Sequence, residues 1–424
     1  MNSTKINSNH KKSNRTGSFL MYEAELVRDE DNGSVIEMLE EAYEVDSLEG
    51  SGILYNNHPT YSRSLAIRDG NKIAASLSIF TSDNIIRGIR LPYAGIGSVA
   101  TAPKYRNKGM CRALFKAAFK DMHEKGEVIS ALHPFLEQFY EKFGYARAEE
   151  FYRHSFEVEN LRNTTISNDF TARKLMDMDK AGDVLNIIKS MGRFGSRVFP
   201  SLKTIERAIK QGNVFLFERM NEAVGVILLY VTSFDPKYGP EPFEIGQKGL
   251  HSGYSTAFTT EEVFPAMIKL LRDLCIEKKG TRIVLLGQRE FPVRNFVINR
   301  NETSTKINPG FMVRIIDFVK FCRLIKIPVE ARNRVVIQIK DDMCPWNEGV
   351  YSIQPSEGKL TVEETETETS PEVVMDAISL SRVISGLNTA TILRALGLLQ
   401  CTQETAQKLD AIFSQETLFV FDRV

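Results

Sequence analysis

One stretch of seventeen residues, SVATAPKYRNKGMCRAL at 98–114, restricts the architecture more than any other. It carries a β-prone strand end into a proline-bearing turn. It then sets Arg106, Asn107, Lys108, Gly109, Met110, Cys111 and Arg112 at the mouth of a helix with amphipathic spacing. A strand that turns tightly into a helix belongs to an α/β layer. Such a turn gathers free backbone N–H groups and the positive end of the helix dipole, with Arg106 and Lys108 adding charge. Gly109 leaves the backbone open to an anion. The predicted chemistry is a pyrophosphate cradle.

The flanking segments extend that plan. Residues 22–28 predict a short strand and 34–45 a helix. Two strands at 64–68 and 72–81 are joined by the Asp69-Gly70-Asn71 turn, and a long strand at 85–100 follows. A helix over 108–125, a strand near 128–132, a short helix near 135–143 and a strand leaving Gly144 complete a first domain, residues 21–160. A second α/β domain, 161–305, has helices at 176–191, 202–211 and 263–279, and strands at 214–218, 224–232 and 282–286. In the last region, 306–424, a helix at 317–324 precedes strands at 334–340 and 349–354. An acidic run, EETETETSPE at 363–372, reads as a solvated hairpin connection; helices near 379–387 and 389–398 and a β-prone TLFVF follow. The fold class is α/β, in the α+β sense, with mixed sheets.

Other chemistries are set aside on sequence grounds. GIGSVA at 95–100 fits the dinucleotide fingerprint GxGxxA, but Thr101-Ala102-Pro103 stands where the helix would have to open. The 424 residues carry 54 basic and 54 acidic side chains, so no basic excess marks a nucleic-acid binder. No apolar run approaches the ~20 residues that span a bilayer. Cys111, Cys275, Cys322, Cys344 and Cys401 form no CxxC pair, and the histidines show no metal-ligand spacing, so no metal is expected. The first twenty residues lack the apolar core of a secretory signal and are read as a disordered tail of a cytoplasmic protein.

Residues 99–114 resemble motif A of the GNAT acetyltransferase superfamily, (Q/R)xxGx(G/A), with Cys111 in the last small position. ALHPFLEQFYEKFGYA at 131–146, with its FYxxFGY core, resembles a block of the enhanced intracellular survival (Eis) protein family. Its members join two GNAT domains to a sterol carrier protein-like domain. The second α/β region, Trp346 in PWNEGVYSI, and the late helical pair before a terminal strand agree with that order.

The resemblance implies acetyl coenzyme A as co-substrate. Val99, Ala100 and Thr101 would run along its pantetheine arm, Arg106 through Arg112 around its pyrophosphate, and Phe135 and Leu136 beside the thioester. Tyr140 matches the tyrosine that protonates the leaving thiolate, a task suited to a phenol that is neutral at pH 7. The terminal carboxylate of Val424 is implied as the group that receives the amine's proton or holds the amine, whereas Tyr145 is read as packing. His133, beside the site, is read as structural, and Cys111 belongs to the cradle rather than to covalent catalysis. The implied reaction is N-acetylation of a primary amine on a polyamine, an aminoglycoside-like compound or a lysine side chain, by direct attack in a ternary complex. Arg423 would disfavour a cation near the terminus. No RxxG turn precedes a helix between Val224 and Val263, so the second GNAT-like domain is expected to be free of cofactor and to wall the acceptor pocket. A homo-oligomer, in this family a hexamer, is implied, with neither nucleic acid nor membrane as partner. The competing reading is a non-catalytic acyl coenzyme A or lipid-binding sensor.

Overall fold

The computed structural model describes residues 22–48, 62–162, 169–212, 214–230, 249–277, 281–287, 293–365, 370–416 and 418–421. The tail at 1–20 and Val424 lie outside them. Two seven-stranded mixed sheets carry most of the chain. In the first, Glu25–Leu26, Ser62–Asp69, Lys72–Phe80 and Tyr93–Thr101 are antiparallel neighbours, and Ile129–Leu132 joins the last of them in parallel. A parallel pair needs a crossover, and the helix Met110–Glu124 supplies it. Its Leu114, Phe115, Ala118, Phe119 and Met122 recur on one face and are buried in the core of this unit.

The second sheet repeats the plan, with Gly249–Phe258 parallel to Arg282–Gly287 across the helix Phe264–Glu277. A four-stranded sheet ordered Lys359–Glu364, Gly349–Ser356, Val335–Lys340 and Val373–Asp376 forms the C-terminal unit with the helices Phe318–Leu324, Ala377–Ser385, Ala390–Ala395 and Gln403–Ile412. This is the mixed α/β architecture read from the sequence.

Several local expectations change. The strand leaving Gly144 is Ala146–Arg147, at the edge of the first sheet, whereas the next strand, Glu150–Glu157, lies inside the second, paired with Arg282–Gly287 and Ser304–Pro309. In return Met312–Ile315 leaves the last region and sits in the first sheet between Ile129–Leu132 and Ala146–Arg147. The boundaries expected at 160 and 305 therefore leave each exchanged strand outside the region whose sheet it joins, because periodicity reports that a segment is a strand and not which sheet receives it. The expected strand at 85–100 is broken: Ile86 and Ile89 exchange backbone hydrogen bonds across Arg87 and Gly88, both at positive φ, a two-residue hairpin. Only Tyr93–Thr101 continues in the first sheet, while Asn84–Ile85 joins a separate three-stranded sheet. The acidic run leads to Val373–Asp376, which is parallel to Val335–Lys340, so the connection is a crossover rather than a hairpin. The helix Gln403–Ile412 was not anticipated.

That three-stranded sheet holds the end of the chain. Leu418–Val420 runs parallel to Ser196–Val198, and its alternating side chains enter two cores. Phe419 and Phe421 pack with the second unit, while Leu418 and Val420 pack with the C-terminal unit. The fully buried Glu149 accepts from Val420 N–H and Phe311 N–H, each at 2.9 Å, so one carboxylate ties the terminal strand to the crossing between sheets.

Candidate active site

The site begins where two strands part. Tyr93–Ile96 pairs with Ile129–Leu132 residue for residue, but the pairing stops at Ile96 and Leu132 while the first strand runs on to Thr101. On its other edge Gly97 faces Ser78 and Ala100 faces Ser76, so Ser98 and Val99 stand opposite Leu77 alone. Ser98, at φ 49°, makes this a β-bulge. Bulge and parting together open a wedge along Gly97 to Thr101. The Tyr43 hydroxyl donates to the Val99 carbonyl at 3.2 Å, fixing the end of the helix Asn32–Tyr43 against the bulge.

The chain then turns through Pro103–Tyr105 to Asn107 and Gly109, at φ 61° and 87°. Left-handed backbone suits Asn and Gly, and it aims the start of Met110–Glu124 at the wedge. Its N-cap, Gly109, has no side chain to cap it, and among the described residues the first N–H groups keep their hydrogen-bonding capacity for a ligand. A Cβ built at Gly109 meets no protein atom within 4 Å and would instead occupy the cradle. The residues present thus fit a diphosphate. The expected cations divide unevenly. Arg106 donates to the carbonyls of Ala42 (2.8 Å) and Thr101 (3.4 Å), and Arg112 is ion-paired with Asp342 of the C-terminal unit. The Lys108 ammonium lies 5.3 Å from the centre of the Tyr105 ring.

Gly109→Ala tests this geometry. The substitution forces a left-handed backbone on a residue with a Cβ and places a methyl where the diphosphate would rest. The expected result is an increase of about tenfold in the KM for acetyl coenzyme A, about 1.4 kcal/mol, with the fold retained. A KM unchanged in steady-state assays would remove the cradle assignment.

Tyr140 lies on the single-turn helix Glu137–Glu141 and is 5% exposed. Its ring packs edge-on against Phe139 (5.1 Å), Phe135 (5.5 Å) and Phe115 (6.2 Å). Its hydroxyl makes no hydrogen bond among the described residues. Burial raises its pKa above the ordinary phenol value, and the neighbouring Tyr43 and Cys111 add to that shift. Through its edge-on contact with Phe115, Tyr140 packs against the cradle helix Met110–Glu124. Phe135, 74% exposed, and Leu136, exposed as well, form an apolar lip beside it. Ala100 is buried and paired with Ser76. Tyr145 is fully buried with its hydroxyl 2.7 Å from Ser130 Oγ, a packing role as expected. The Cys111 thiol is pushed up to about 12 by burial and is not a thiolate nucleophile at neutral pH. Tyr43 lies inside the helix expected over 34–45, and nothing in the sequence marks it out; the structure ends that helix on it.

Buried acids give a second testable consequence. Burial raises the phenols of Tyr43, Tyr140 and Tyr145 above their ordinary 10.0, and the thiols of Cys322 and Cys344 above 9.0. Their folded values exceed the unfolded ones, so their contribution to stability is whole below pH 9 and is lost as pH rises toward the folded values. The melting temperature is expected to decline steeply between about pH 9 and pH 11. A flat profile across that window, followed by circular dichroism, would contradict the burial described.

Comparison with known proteins places these features. Residues 23–148 match the acetyltransferase (GNAT) domain family, and residues 319–420 match the sterol carrier protein domain family. No curated protein matches the sequence. Among solved structures, a conserved protein of unknown function from Enterococcus faecalis is similar at TM-score 0.78 and 17% identity, over 95% of this chain and 99% of that one. A GCN5-related N-acetyltransferase from Anabaena variabilis is similar at TM-score 0.78 and 16% identity, over 94% and 99%. Eis1 from Mycobacterium abscessus is similar at TM-score 0.71 and 16% identity, over 94% and 98%. At these identities the structures establish a shared fold. The chain carries a GNAT acetyltransferase domain and a sterol carrier protein domain, and acyl transfer is the activity of the first.

Proposed function

We propose that this chain, which carries an acetyltransferase domain and a sterol carrier domain, is an N-acetyltransferase of the Eis type. It transfers acetyl from acetyl coenzyme A to a primary amine of a cationic acceptor by direct attack in a ternary complex. The observation that carries this reading is the Tyr140 hydroxyl, which has no hydrogen-bond partner among the described residues and whose ring packs on Phe115 of the cradle helix. The helix start at Met110 and the Lys108 ammonium hold the diphosphate. The backbone of the bulged strand along Val99, Ala100 and Thr101 orients the pantetheine arm, and Phe135 and Leu136 flank the thioester.

Acetyl coenzyme A supplies an already activated acyl group, so orientation accounts for most of the acceleration. Tyr140 then donates its hydroxyl proton toward the departing sulfur. The Val424 carboxylate receives the proton of the attacking amine or holds that amine in place. The acceptor belongs to the polyamines, aminoglycoside-like compounds or lysine side chains, and a homo-oligomer working in the cytoplasm completes the reading.

Thiol release from acetyl coenzyme A with a panel of spermidine, an aminoglycoside and a lysine peptide tests it, with one residue added after Val424 as the second variant. Turnover that names one acceptor class and collapses in the extended chain is the expected outcome. Binding of acetyl coenzyme A without turnover above hydrolysis on any acceptor would replace this reading with that of an acyl coenzyme A sensor.

A further inference from the structure

The helix that carries Tyr140 has five residues, far fewer than a helix needs to hold itself together in water. Its position is therefore set by what grips it. Arg147 grips the N-terminal end, with two donors on the Glu137 carboxylate, each at 2.8 Å. The C-terminal end is held by a different unit of the protein. Arg382, on the helix Ala377–Ser385, donates to Glu141 at 3.1 Å. The neighbouring Ser381 is fully buried, and its hydroxyl is shared between the Gly144 carbonyl at 2.9 Å and the Ala377 carbonyl of its own helix at 2.8 Å.

The turn at Gly144 is what the tyrosine helix ends on. Phe143 N–H and Tyr145 N–H both donate to the Tyr140 carbonyl, at 2.9 and 3.3 Å, and Gly144 N–H donates to Glu141. Gly144 itself, at φ 80°, is boxed in. A Cβ there would lie 2.6 Å from Ala377 Cβ and 2.1 Å from Arg314 Nη1. The backbone of Tyr140 is thus held through the turn of Phe143 to Tyr145, and that turn rests on the helix Ala377–Ser385.

Resting on the assignment of Tyr140 as proton donor, we propose that Ser381 and Arg382 are positioning residues for Tyr140, and that the sterol carrier protein domain serves the acetyltransferase reaction as the clamp of its proton donor. The clamp works through the backbone: Arg382 fixes the last helical carboxylate, Ser381 fixes the turn carbonyl, and the phenol is delivered at a set height above the cradle. A shift of about 1 Å at the hydroxyl is enough to cost 10- to 100-fold in rate, because hydrogen-bond donation to a developing charge depends steeply on placement.

The test uses the full chain with Ser381→Ala and Arg382→Ala combined, Arg382→Lys as the conservative control, and Tyr140→Phe as background. Two readouts are taken: hydrogen exchange at the amides of Phe143, Gly144 and Tyr145, and steady-state thiol release from acetyl coenzyme A with spermidine. The clamp predicts exchange about tenfold faster at those three amides, with the ladder between Val335–Lys340 and Gly349–Ser356 unchanged. It also predicts kcat reduced about tenfold with the KM for acetyl coenzyme A within about twofold, and recovery of most of that loss in Arg382→Lys. On the Tyr140→Phe background the double substitution is expected to change kcat by less than about twofold, which a general loss of structure would not produce.

Unchanged exchange at the three amides overturns the clamp whether or not spermidine is turned over. A kcat loss that persists in full on the Tyr140→Phe background overturns the link to Tyr140. A Tyr140→Phe variant as active as the parent sinks the proton-donor reading instead, and leaves the exchange result to judge the clamp by itself.

Discussion

Tyr140→Phe is expected to lower kcat about 100-fold while leaving the KM for acetyl coenzyme A and the melting temperature unchanged. The ring contacts with Phe115, Phe135 and Phe139 survive the substitution, and the hydroxyl that is lost bonds to no described residue of the protein. What disappears is one donor, which on the proposed mechanism faces the departing sulfur. A phenol raised by burial looks a poor acid for a thiolate, whose conjugate thiol has a pKa of about 8.5 in water. Burial works on thiols as on phenols, as it does on Cys111 of the cradle helix, whose thiol it pushes up to about 12. A thiolate formed here is as poorly solvated as the phenolate would be, so donor and acceptor are brought close to matching strength. The same shift keeps Tyr140 protonated across the working pH range, and no alkaline limb of the rate below about pH 9 is expected from it. Stopped-flow and steady-state thiol release decide the matter; a variant that keeps more than half of the parent kcat cannot have lost its acid.

Which parts of the site were legible in the sequence follows from how local they are. The cradle could be read because Arg106 through Arg112 are contiguous and a strand, turn and helix leave compositional marks on either side. Tyr140 could be placed because the FYxxFGY core is local, with Gly144 needed by the turn that ends its helix. What the sequence hid were pairings over long separations. Arg106 and Arg112 look equally available in the chain, yet one bonds the carbonyl of Ala42 and the other is paired with Asp342. The exchange of Glu150–Glu157 for Met312–Ile315 was invisible for the same reason, since a strand's alternation is indifferent to its neighbour. The hairpin at Arg87 and Gly88 left only one glycine as its mark, inside a run of otherwise strand-like residues. Val424 and the residues at 49–61 lie outside the described residues.

The largest expected effect on stability lies behind the aromatic cluster around Tyr140. Arg314, on a strand of the first sheet, is fully buried, and its Nη2 donates to both carboxylate oxygens of Asp341 at 2.7 and 3.0 Å and to Cys344 Sγ at 3.0 Å. Its Nε and Nη1 make no hydrogen bond among the described residues, and the guanidinium lies 4.4 Å from the centre of the Phe119 ring. Asp341 is therefore the anion that neutralises a cation deep in the protein. The Cys344 thiol, pushed up to about 12 by burial, contributes no charge at neutral pH. Asp341→Ala leaves the guanidinium charged and without an anion, and is expected to cost about 3–5 kcal/mol. That is a large part of the 5–15 kcal/mol by which domains are typically stable. Arg314→Met should cost less, because the Asp341 carboxylate keeps Met343 N–H (3.2 Å), Cys344 N–H (3.0 Å) and Asn347 Nδ2 (3.3 Å) as donors while the methionine fills the vacated space. The asymmetry is the prediction: urea unfolding of the two variants should differ by more than about 1 kcal/mol with Asp341→Ala the weaker. Equal losses below 1 kcal/mol would mean that the pair is not what joins the first sheet to the C-terminal unit.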